Sequence, residues 1–191
     1  MKPILTVCIT PVLSLFLCGC PYESPYNIDE SALQNIDEDL LGEWIGFCGS
    51  PAREPGASQV EQVTVCFEKR TGMDYGITIT GHLERLKPYH LIENDTIRGT
   101  GYLSLAAGKQ FLNAYISGKV YLAEVVRDSS SVSLLPLAEY FTSKLVKNSS
   151  ELRKAVEFHY KVARTPGYDP QFSLWNLHRA GSSASLSLPL Q

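Results

Sequence analysis

The feature that most restricts this chain is a series of short apolar segments between residues 59 and 137, each closed by a turn signal. In residues 59–68, Val63, Val65 and Phe67 occupy alternate positions and so share one face of an extended strand. Residues 76–83 (GITITGHL) form a second such segment after the turn residues Thr71, Gly72 and Asp74. A shorter candidate, residues 89–92, lies between Lys87-Pro88 and Asn94-Asp95. Further segments occupy residues 96–105, 110–116, 119–126 and 132–137, parted by Ser117-Gly118 and by residues 128–131. With residues 40–47 ahead of them these make eight strands, at the short, regular spacing of an antiparallel barrel or sandwich.

After residue 137 the period changes. Residues 137–146 suit a short helix, and Asn148-Ser149-Ser150-Glu151 forms a capping box. Leu152, Ala155, Val156, His159 and Ala163 then recur at helical spacing, one apolar stripe to lay on the body. Pro166-Gly167 ends that helix, and residues 171–179 (QFSLWNLHR) return to strand composition. The order predicts a mainly β (α+β) domain over residues 41–180: an antiparallel barrel of eight to nine strands, with one or two C-terminal helices before a closing strand. If the closing strand pairs with the first, no open edge remains, and the segments around Trp44 and Trp175 become neighbours. Residues 181–191 are Ser/Leu low complexity and read as a flexible tail.

The N-terminus is a targeting segment. Met1 and Lys2 give a positive start, and residues 3–17 carry no charge. That run is shorter than the roughly 20 residues a membrane span needs, and it has the layout of a secretory signal peptide over residues 1–19. It ends in Leu17-Cys18-Gly19-Cys20, which resembles the bacterial lipobox. The resemblance implies cleavage between Gly19 and Cys20 and a diacylglyceryl thioether with further acylation on Cys20. Several acyl chains hold a protein durably where one holds it marginally, because each buried methylene contributes about 0.8 kcal/mol. The expected location is the cell envelope, as a membrane-anchored lipoprotein, and Pro21 after the cysteine is compatible with the outer membrane.

Charge divides the remainder. Residues 20–43 hold seven acids and no Lys or Arg, whereas from Trp44 onward there are 16 basic and 13 acidic residues. Residues 20–40 therefore read as an acidic, solvated tether. No basic face or aromatic-basic motif points to nucleic acid. Of five cysteines, Cys8 and Cys18 leave with the signal peptide and Cys20 is the anchor. Cys48 and Cys66 remain, in a compartment that permits a disulfide. Alternation sets Cys66 opposite Val65 and Phe67, while Cys48 points inward with Trp44, so only a bulge would let the two bridge.

Gly42-Glu43-Trp44, opening a short-stranded β domain, resembles the G-x-W signature of lipocalins. That resemblance implies that Trp44 plugs the closed end of the barrel and that Arg179, near the end of the last strand, covers it as a cation over an indole. The whole layout is also similar to small lipocalin-like lipoproteins of Bacteroides-type bacteria. The shared points are the lipobox cysteine with CPY, a leader with Ile28-Asp29 and Ile36-Asp37, LLGEW, the capped ELRK helix and the closing FSLWNLHR strand. The resemblance implies an envelope-exposed binding barrel and no chemistry.

The residues agree with a non-catalytic reading. There is no G-x-S-x-G, H-E-x-x-H or phosphate loop, and His82, His90, His159 and His178 lack metal-ligand spacing, so no catalytic residue, metal or cofactor is expected. The ten tyrosines suit either an amphipathic cavity lining or ordinary strand packing. The leading expectation is a lipid-anchored module binding a small apolar ligand. The alternative is an accessory envelope protein, its barrel a scaffold docked on a larger membrane assembly by a protein partner the sequence does not name.

Overall fold

The structure is a computed structural model that describes residues 21–49, 61–83, 86–87, 91–92, 94–142, 144–163 and 167–181. Nine strands are present among them: β1 (Glu23–Ser24), β2 (Gly42–Cys48), β3 (Glu61–Lys69), β4 (Tyr75–Gly81), β5 (Thr96–Ala106), β6 (Lys109–Ile116), β7 (Lys119–Arg127), β8 (Val132–Pro136) and β9 (Leu174–Arg179). One helix, α1 (Ser149–Val162), precedes β9. Strands β2 to β9 pair antiparallel in chain order, and β9 returns to β2, so eight strands close a lipocalin-like barrel. The segments around Trp44 and Trp175 are neighbours across that closing seam, as the order of elements predicted; in register, Trp175 pairs with Phe47 and Arg179 with Trp44. The two-residue β1 is an addition, lying against Tyr121 and Val120 of β7.

Inward positions follow the alternation. Val63, Val65 and Phe67 of β3 and Tyr75, Ile77 and Ile79 of β4 fill the interior with Trp44, Leu103, Leu112 and Leu177. Gly46 marks a register shift in the β2–β9 ladder. A Cβ there would stand 2.6 Å from the Trp175 carbonyl oxygen, so the seam closes only around a glycine.

Strands β5 to β7 are buried on both faces over much of their length, which is why their apolar residues run together rather than alternate. Their outer face carries a second core, in which Phe111, Val120 and Leu122 meet Leu152 and Val156 of α1. The helix starts as its sequence predicts, Asn148 Oδ1 accepting from the Glu151 amide at 2.9 Å. Glu151 reaches back one residue further than a capping box requires, its carboxylate accepting from Lys147 N at 2.9 Å. The second expected helix, residues 137–146, is reduced to one 3-10 turn, Glu139–Phe141. In the candidate strand 89–92, residues 89 and 90 lie outside the described residues, and Leu91 and Ile92 belong to no strand.

The largest correction concerns the expected acidic tether. Residues 21–41 are a strap packed on the barrel, with Ile28 and Leu40 buried in it. Its acids meet bases supplied by distant strands and by α1: Glu23 with Lys119 at 2.6 Å, Asp29 with Arg153, Asp37 with Arg127 at 2.5 Å and Glu38 with Lys69 at 3.5 Å. The exposed pairs, Glu23 with Lys119 and Glu38 with Lys69, contribute little singly, about 0–1 kcal/mol, so the strap is held mainly by its buried groups. Asn113, fully buried on β6, accepts from Ile28 N at 2.9 Å and donates to Ser104 Oγ at 2.8 Å. The unequal charge of the two parts of the sequence is thus an internal complementarity.

Candidate functional site

The two ends of the barrel differ. At one end β2 begins and β9 finishes, and there the strap crosses the floor. Trp44 donates its indole N–H to Leu40 O at 2.9 Å, and Arg179 lies over the ring with its guanidinium carbon 5.2 Å from the centroid. Arg179 Nη2 also donates to Asp39 O at 2.8 Å, which ties strap, first strand and last strand at one point. The structure therefore brings together Trp44 and Arg179, the pair the G-x-W resemblance singled out.

At the opposite end the interior contains an apolar cavity of about 80 Å³. Ile77, Ile79, Leu112, Ala114, Ala123 and Leu134 line it from the strands, and Leu83, Leu86, Leu91 and Phe172 line it from outside them. Pro21, the first residue of the strap, is part of the same lining. Ala114 and Ala123 leave this space because they stand at inward positions where their neighbours carry larger side chains. A void with so few polar partners for water stays dry. Its size is roughly half that of the engineered apolar cavity of about 150 Å³ that admits benzene, and well below the roughly 300 Å³ of a drug-sized site. The space suits the end of a slim hydrocarbon chain.

Cys48 and Cys66 are not joined. In the β2–β3 ladder Cys66 faces Glu43 and Cys48 faces Glu61, five positions apart or about 17 Å at strand rise, and the two point to opposite faces. No bulge interrupts that ladder to rescue the bridge. Cys48 Sγ instead approaches Gln171 O at 3.5 Å, and burial with the nearby Glu68 and Glu43 carboxylates raises the Cys66 thiol pKa.

The histidines stand apart. His159 packs edge-on against Phe141, and its Nε2 accepts from Gly167 N at 3.0 Å; burial pulls its pKa down. His178 Nδ1 lies 3.1 Å from Ser130 O, and His90 lies outside the described residues. Among the described residues no group of three or more His, Cys, Asp or Glu is placed to hold a metal ion.

Several tyrosines serve the strap rather than the cavity. Tyr102 donates to Asp29 O at 2.6 Å, Tyr115 Oη accepts from Asn27 Nδ2, and Tyr75 Oη accepts from Asp37 N at 2.6 Å. Tyr121 alone of these lines the cavity, with its hydroxyl 3.4 Å from Glu23 Oε1. Under α1, Tyr160 and Tyr168 both donate to the buried Glu124, at 2.6 Å for Tyr160, and Lys109 Nζ approaches the same carboxylate at 3.0 Å. Burial, then the bond to Glu124, holds both phenols far above the usual tyrosine range. This cluster pins the helix to the barrel, and the sequence showed it only as a charged residue, Glu124, inside an apolar run.

The lipobox residues Leu17, Cys18, Gly19 and Cys20, with the cleavage point and the rest of the signal segment, lie outside the described residues, as does the tail from residue 182. Among the described residues no helix is long and apolar enough to cross a membrane. No protein-family model, curated protein or solved structure matches the chain.

Proposed function

We propose that this chain is a lipid-anchored lipoprotein of the cell envelope, at the outer membrane, whose barrel takes up the end of a small apolar molecule without transforming it. The observation that carries the reading is the apolar cavity at the end of the barrel opposite Trp44, lined in part by Pro21. Cys20 is one peptide bond from Pro21 in the sequence, which joins the proposed acylation point to a residue of the apolar lining. Closed-barrel architecture supports the same reading, since eight-stranded barrels have room for one small ligand. The similarity to lipocalin-like lipoproteins of Bacteroides-type bacteria belongs to this proposal as well.

Native against denaturing mass spectrometry of residues 21–191 tests the ligand. Wild type should carry an added mass that denaturation releases, and Ala114→Phe or Ala123→Phe, which fill the void, should carry none. A bare chain mass for folded wild type overturns ligand uptake and transfers weight to the docking scaffold. Acylation is tested separately: the mature chain should carry diacylglyceryl and acyl mass at Cys20, and Cys20→Ala should abolish it.

A further inference from the structure

A groove between the 3-10 turn and α1 carries an unusual concentration of exposed apolar side chains. Leu145 is 82% exposed, Tyr140 71%, Phe158 58% and Val162 57%. All four line this one groove. Lys144, Lys147 and Lys154 line it too, with Lys144 Nζ 5.6 Å from the Phe158 ring centre. The single carboxylate in the lining, Glu151, is engaged by the Lys147 amide at the helix cap. Apolar side chains ringed by ammonium groups on a helix and its neighbouring turn have the chemistry of a surface that rests in an anionic lipid interface.

The position of the chain's entry selects a bilayer as the occupant. Pro21 bridges to Ala138, Tyr22 N donates to Leu137 O at 2.8 Å, and the Tyr22 ring packs edge-on against Phe141 at 4.6 Å. Phe141 is itself part of the groove lining. With no tether between Cys20 and the folded body, acyl chains on Cys20 hold this groove at the membrane surface. The strap's acids do not oppose this, because Glu23, Asp29 and Asp37 are paired with Lys119, Arg153 and Arg127.

We infer that the Tyr140/Leu145/Phe158/Val162 groove, with its three lysines, is a second membrane contact that seats the protein on anionic phospholipid beside its anchor. The inference rests on the lipid-anchored reading above. Acyl chains supply the attachment, and the groove fixes the orientation by sinking its apolar side chains to the headgroup boundary.

The test uses the full mature lipoprotein in vesicles of phosphatidylglycerol and phosphatidylcholine with brominated acyl chains, which quench tryptophan at the headgroup boundary. Phe158→Trp reads the groove, and Met73→Trp, an exposed position in the β3–β4 turn that is no part of the groove lining, reads the control. F158W fluorescence should fall by at least about half, as for a side chain buried about 5–10 Å into the interface, while M73W stays at the level of the native tryptophans. Acylated protein that floats with the vesicles but shows equal quenching at both positions overturns the groove and leaves the anchor standing. Absence of acyl mass at Cys20 sinks the lipoprotein reading, and the groove proposal with it. A detergent-solubilised dimer that Leu145→Glu converts to monomer would assign the groove to a second copy of the chain and equally overturn the lipid contact.

Discussion

Arg179 lies over the indole of Trp44, its guanidinium carbon 5.2 Å from the ring centroid, with one N–H donated to the Asp39 carbonyl. The two residues are also direct partners in the β2–β9 ladder, so a single contact joins the first and last strands of the barrel and the strap beneath them. Arg179→Ala should lower stability by about 1–2 kcal/mol, from a solvent-facing cation–π contact and a charge-assisted hydrogen bond. Denaturant unfolding checks the magnitude, and Arg179→Met, which keeps part of the stem over the ring, should recover some of the loss. An unchanged midpoint for Arg179→Ala would show that the floor closes without it.

Gly46 allows the same seam to close. Its Cβ would meet the Trp175 and Asn176 carbonyl oxygens at 2.6 and 2.9 Å, backbone atoms that cannot swing aside. Gly46→Ala should therefore cost about 1–3 kcal/mol by overpacking. Gly72→Ala is the control, since nothing lies within 4 Å of its added methyl. Equal thermal midpoints for the two variants would contradict the close approach.

Asn113 should hold the strap more firmly than any surface ion pair. Asn113→Ala leaves the buried Ile28 amide without its acceptor, at a cost of about 1–3 kcal/mol. Removing the exposed Glu38–Lys69 pair by Glu38→Gln should change stability by less than about 1 kcal/mol. Hydrogen exchange of amides 22–37 gives the regional readout: faster exchange confined to the strap in Asn113→Ala, and none in Glu38→Gln.

Asp169 makes stability depend on acidity. It is fully buried, and desolvation raises its pKa even though Gln171 and Phe172 donate backbone N–H groups to Oδ1. A raised folded-state pKa means that the folded chain holds the proton more tightly than the unfolded one. Its contribution to stability is then complete below the ordinary value of 3.8 and is lost as pH rises through the elevated value. Asp169→Asn keeps an oxygen acceptor and cannot ionise, so it should melt higher than wild type at neutral pH, with the gap closing in acid. A difference that does not vary with pH would remove ionisation as its cause.

Local pattern was enough for the barrel's inner wall. Val63, Val65 and Phe67 face inward because successive strand residues must alternate, and Asn148 caps α1 because its side chain satisfies an amide within its own turn. The same alternation placed Cys48 and Cys66 on opposite faces, and the ladder kept them there. Strands β5 to β7 gave a less regular pattern, since a strand covered on its outer face has no polar side to display. The strap was misread for a related reason: its acids look solvated until their partners are known, and Asp29 finds Arg153 from 124 residues away. The cavity likewise depends on Ala114 and Ala123, two small residues on adjacent strands that only the closed barrel sets across one space. By itself the sequence determined the eight strands of the barrel, most of their turns and the capped helix α1, because those choices rest on neighbours a few positions away. What covers the outer wall, what neutralises the leader and where the interior stays empty were decided by tertiary structure, because each depends on groups that meet only when the barrel closes.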